Sequence, residues 1–118
     1  MIGYVMVGTN NLDKAIIFYD EVLKIINLTR KDTDEICAGY IQNNGDGSIE
    51  FYVTKPANKK TATFGNGTQV SFLVSSREIV DKFHEIALKA GGTSEGSGGE
   101  RPEAVSYTHL TLPTILRV

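Results

Sequence analysis

Apolar residues recur along this chain with two periods, and their alternation predicts the elements. Residues 2–8 form a short strand-like run. Thr9, Asn10 and Asn11 follow, with side chains suited to accept from the first free N–H groups of a helix. Leu12, Ala15, Ile16, Tyr19, Val22, Leu23 and Ile26 then fall at helical spacing, predicting a helix over 12–26. Strands are predicted at 28–31 and 36–42. Asn44-Gly45 and Asp46-Gly47 supply turn chemistry, and 48–54 alternates as a strand. A polar connection containing Pro56 runs to Gly67. The order then repeats: a strand over 68–74, a Ser75-Ser76 cap, and a helix to about Ala90, ended by Gly91-Gly92.

The repeat extends to individual residues. One constant shift carries Val5 to Val70, Phe18 to Phe83, Leu23 to Leu88 and Lys24 to Lys89. It also carries Asn10-Asn11 to Ser75-Ser76, cap onto cap. The predicted core face Ala15, Phe18, Val22 and Ile25 falls on Val80, Phe83, Ala87 and Ala90. This pattern predicts an internal duplication in which each half is strand–helix–strand–strand–strand. A ferredoxin-like βαββαβ sandwich also has two βα units, but it needs fewer strands between its helices than the three predicted here.

Strand alternation assigns faces. Val5 and Val7 share one face with Ile49, Phe51, Val53, Val70, Phe72 and Val74, and this apolar face should cover the helices. The opposite face carries Tyr4, Glu50, Tyr52, Gln69 and Ser71. A curved sheet would gather these into a partly polar cleft.

Composition narrows the function. The chain has 118 residues, 41% of them hydrophobic and 22% charged, as expected of a globular domain. A net charge of −2 gives no basic excess for nucleic acid or an anionic membrane. No apolar run approaches the ~18 residues of a membrane span. Cys37 is the only cysteine, so an internal disulfide and a cysteine zinc cluster are both excluded. The N-terminus lacks a secretory pattern, and the expected compartment is the cytoplasm.

The run "GYVMVGTNNLDKAIIFYDEVL", the strand over 48–53 and "GNGTQVSFLV" at 65–74 resemble the vicinal-oxygen-chelate superfamily. That group includes glyoxalase I, bleomycin- and fosfomycin-resistance proteins and extradiol dioxygenases. The resemblance covers about residues 1–102 and rests on the motifs together with the duplication. It implies an α+β fold in which paired βαβββ modules form a curved mixed sheet with a central cleft. Module one would span 1–60 and module two 66–118, in a single domain.

Enzymes of the superfamily commonly hold a divalent metal in the cleft, with two ligands from each module. The resemblance maps those positions onto Tyr4, Glu50, Gln69 and Ile115. Glu50 suits a hard cation and Gln69 is permissible. A phenol, with an ordinary pKa of about 10, is a poor ligand, and isoleucine is none. A divalent site normally takes about three or four protein donors. The expectation is therefore no metal and no other cofactor. Glu50 is the candidate catalytic residue, as a general base in a semi-apolar cleft. Tyr4, Tyr52 and Gln69 are the candidate substrate-binding residues.

Other residues carry less. His84 reads as a partly exposed helix residue, and His109 has no partner at metal spacing. Cys37 reads as a small core residue in a strand, and Lys59-Lys60 as a solvated pair. The glycine-rich stretch 91–99 lacks the Lys-Ser/Thr ending of a phosphate loop and reads as a connection over the cleft. Residues 106–118, "SYTHLTLPTILRV", contain no Asp, Glu, Gly or Asn and lack the turn with which the superfamily closes its last hairpin. They read as a divergent or non-native ending.

The expected function is binding of a small organic molecule in the cleft. The rival is a metal-dependent lyase of the glyoxalase I type, in which Glu50 would ligate the metal or move a proton. A third possibility is a non-catalytic module that pairs as a homodimer through exposed strands.

Overall fold

The computed structural model describes residues 1–63, 65–68, 70–92 and, for the backbone alone, 109–111. Strand β1 (Val5–Gly8) leads into helix α1 (Leu12–Leu23), followed by a 3₁₀ turn at Lys24–Ile26. Three strands follow: β2 (Leu28–Thr33), β3 (Cys37–Gln42) and β4 (Ile49–Thr54). Strand β5 (Ser71–Leu73), helix α2 (Arg77–Lys89) and strand β6 (His109–Thr111) complete the described elements.

Both helix starts follow from their caps. The Asn11 side chain accepts from Lys14 N at 3.1 Å. The Ser76 hydroxyl accepts from Ile79 N at 3.3 Å. Each satisfies one of the N–H groups that a helix leaves unpaired at its start. The predicted helix over 12–26 tightens to 3₁₀ after Leu23 and ends at Asn27, whose φ of 63° is left-handed. Asparagine tolerates that conformation better than most residues. Helix α2 ends before Gly91, at φ 110°, a backbone that a side chain would strain.

The first half forms a four-stranded sheet of order β1-β4-β3-β2. β1 runs parallel to β4 with Val5 opposite Phe51, while β3 pairs antiparallel with β4 and with β2. The second half departs from strict repetition. β5 pairs antiparallel with β6, Phe72 opposite Leu110, where the duplication expects a parallel partner further along the chain. β6 lies inside the 106–118 ending. The predicted strand over 68–74 is limited to three residues.

One core joins the halves. Ala15, Phe18 and Val22 of α1 are buried, and so are their counterparts Val80, Phe83 and Ala87 of α2. Val7, Phe51 and Val53 cover α1 from the sheet. A chain of rings crosses the junction: Tyr19 to Phe51 at 5.4 Å, Phe51 to Phe72 at 5.6 Å, and Phe72 to Phe83 at 6.5 Å. Burial of each aromatic side chain contributes about 1.5–3 kcal/mol.

Polar contacts fix the outer elements. Arg30 of β2 donates to both carboxylate oxygens of Asp20 on α1, and the Tyr40 hydroxyl donates to Asp20 Oδ1 at 2.9 Å. Asp20 thus ties the helix to two strands. The Asn10 side chain donates to Ala62 O and accepts from Ala62 N, holding the 55–62 connection against the end of β1.

Candidate functional site

Glu50 departs from simple alternation. Tyr40 pairs with Phe51, but the next residue of β3, Ile41, pairs with Ile49. Glu50 is therefore the extra residue of a β-bulge, a feature that re-aims side chains. Ile49 moves as well. Alternation placed it with Phe51 and Val53, and the structure corrects this. Ile49 Cδ1 lies where it would be 2.6 Å from a Cβ on Gly39, beside Tyr52 Cε1. Ile49 and Tyr52 thus share the face away from the helices, and Gly39 leaves the room that both occupy.

The bulge borders a cavity of about 320 Å³ at the junction of the two halves. The first half supplies Val5, Ile26, Leu28, Gln42, Glu50 and Phe51, and the second supplies residues 70–73. The 3₁₀ turn brings Ile26 there, and the end of β3 brings Gln42. The walls are mainly apolar, with Glu50, Gln42 and Ser71 as the polar side chains. Such a combination gives a ligand both hydrophobic contact and orientation.

The structure divides the residues expected to meet in one cleft. Glu50 and Ser71 line the cavity. Tyr4 and Tyr52 are not among its lining residues. They meet each other edge to face at 5.1 Å, and Tyr4 is largely exposed. Gln69 lies outside the described residues, as do Ile115 and most of the 106–118 ending. Glu50 is exposed at the cavity border rather than enclosed. Gln42, Ile26 and Leu28 are members that sequence reasoning did not assign. The interrupted pairing near Ile41 is visible only in the register. The turn signals at Asn44 to Gly47 marked the end of β3 without saying what Gln42 would face.

The remaining candidates, His84, Cys37, Lys59 and Lys60, are not among the described cavity residues. His84 is half-buried on α2. Cys37 is also half-buried, and its thiol is pushed up by partial burial, then by Asp34. Asp34 itself is held below the usual carboxylate range, chiefly by the N–H groups of Cys37 and Ile36. Lys59 and Lys60 are exposed.

Among solved structures the chain resembles a glyoxalase/bleomycin resistance protein from Albidiferax ferrireducens T118. The TM-score is 0.75 at 32% identity, over 86% of this chain and 82% of that one. The chain belongs to the glyoxalase/bleomycin-resistance family. A hypothetical protein, SA1046, from S. aureus shares the fold, with a TM-score of 0.61 at 16% identity over 94% of this chain and 92% of that one. No family profile and no curated protein matches the chain.

Membership of the glyoxalase/bleomycin-resistance family raises the question of a metal. Of the four corresponding positions, the described pair is Tyr4 and Glu50, one phenol and one carboxylate. No group of three or more His, Cys, Asp or Glu gathers among the described residues. The two described members do not by themselves fit a divalent ion. No helix among the described residues is long and apolar enough to cross a membrane.

Proposed function

We propose that this member of the glyoxalase/bleomycin-resistance family binds a small organic molecule in the cavity between its halves, without a tightly held metal. The observation that carries this reading is the cavity itself. Its volume of about 320 Å³ is lined by aromatic and aliphatic side chains with a few polar groups, including Glu50. That size lies within the range of small-molecule sites. Glu50 is the charged group among the described lining residues, placed to orient a ligand. The lone unpaired cysteine suits a reducing compartment such as the cytoplasm.

The test separates this reading from a glyoxalase I-type lyase. Protein purified without chelator is expected to carry far less than one equivalent of Ni, Zn, Co or Mn. It should not turn over the hemithioacetal of methylglyoxal. One equivalent of metal, with turnover lost in Glu50→Gln, would overturn the proposal in favour of the lyase.

A further inference from the structure

The charge pattern around the cavity narrows its ligand. This step rests on the cavity being the binding site. Among its described lining residues, Glu50 is the one acidic or basic side chain. Nearby cations are already engaged. Lys24 pairs with Glu21 at 3.1 Å, Arg30 is held by Asp20, and Lys31 Nζ donates to Gly47 O at 3.1 Å. Glu50 has no ion-pair partner among the described residues. The bulge leaves it beside Phe51, whose ring packs on Phe72 at 5.6 Å.

A carboxylate with no partner among the described residues attracts positive charge, and it forms charge-assisted hydrogen bonds with an ammonium group. An anionic ligand would bring like charge against Glu50 with no cation among the described lining residues to offset it. We infer that the cavity takes a compact, largely apolar molecule bearing one cationic nitrogen, with the nitrogen at Glu50 and the apolar body against Phe51, Phe72 and Leu28. Gln42 supplies a neutral polar contact that serves either a donor or an acceptor on the ligand.

Three probes of one shape test this: benzylamine, benzyl alcohol and benzoate, each titrated by calorimetry into the full chain. Benzylamine is expected to bind at least about tenfold more tightly than benzyl alcohol, the scale of a charge-assisted hydrogen bond, and benzoate more weakly than either. In Glu50→Gln the advantage of the amine over the alcohol should fall to about twofold or less. A urea midpoint matching that of the parent protein shows that the variant is folded. Equal binding of the amine and the alcohol, tighter binding of benzoate, or an amine advantage that survives Glu50→Gln would overturn the ligand class and leave the small-molecule reading standing. Binding by none of the three at millimolar concentration would overturn both.

Discussion

The two halves of this molecule begin alike and finish differently. Helix α1 starts after Asn11 and α2 after Ser76, at equivalent positions, and three buried residues of one helix match three of the other. Among the described residues beyond the helices, the strand pairing differs. The first half builds three further strands and places a parallel partner beside β1. The described part of the second half gives β5 an antiparallel partner. A helix register is set by local caps and by one apolar stripe, so it survives divergence of the rest of the chain. Strand pairing depends on distant segments and changes with them. The Tyr19 position shows the same contrast: Tyr19 is buried among rings, whereas its counterpart His84 is half-buried.

The largest expected effect tests whether the halves share one core. Phe18→Ala and Phe83→Ala each remove a ring that is 1% exposed. Each should lose about 3–5 kcal/mol in urea denaturation. Because Phe83 connects through Phe72 to Phe51, Phe83→Ala should also lower the transition seen by tyrosine fluorescence. Four of the five tyrosines, Tyr4, Tyr19, Tyr40 and Tyr52, lie in the first half, and a Tyr107→Phe background confines the signal to them. An unchanged midpoint in that signal would split the molecule into independent halves.

Alkaline unfolding sharpens the comparison at a smaller scale. Burial raises the Tyr19 phenol well above its ordinary value. Burial and the hydrogen bond to Asp20 do the same for Tyr40. Above the unfolded value of about 10 the unfolded chain loses these protons while the folded one keeps them. Stability is then full below about pH 10 and falls as pH rises, by at most about 1.4 kcal/mol per pH unit for each phenol. Tyr19→Phe should blunt that slope measured between pH 10 and 11, whereas His84→Phe should not. A slope unchanged in Tyr19→Phe would remove burial of this ring as its source.

The caps give the smallest effect. Asn11→Ala and Ser76→Ala should each cost about 1 kcal/mol of stability, measured by thermal unfolding. Similar losses are expected because each side chain serves one N–H. A loss confined to Asn11→Ala would show that α2 is held by its core contacts alone.

Much of the fold was legible in the chain, and the reasons are local. The Asn and Ser caps, the apolar steps from Leu12 to Ile26 and the glycines at 91–92 act within one turn of their own position. The alternation at Phe51 and Val53 identified the face that covers α1, and the shift from Phe18 to Phe83 exposed the duplication. The site was legible only in part. Glu50 and Ser71 were singled out as pocket residues and do line the cavity. Their company was misjudged, because Tyr4 and Tyr52 pair elsewhere and Ile49 lies on the opposite face from the one alternation assigns.

The sequence by itself determined where each helix begins, which of its faces is buried, and that the strand–cap–helix pattern occurs twice. The helix starts and their buried faces follow from hydrogen-bonding groups and hydrophobic periods that neighbours along the chain set, and the recurrence of the βα pattern is likewise read from position alone. Only the tertiary structure decided the register between β3 and β4, and with it the bulge that turns Glu50 toward the junction. It also decided which strand β5 would meet, and that the first half's Gln42 and Leu28 would face the second half across a cavity. Pairing across a sheet is a choice among distant partners of similar local preference, and the packing of the whole core selects among them.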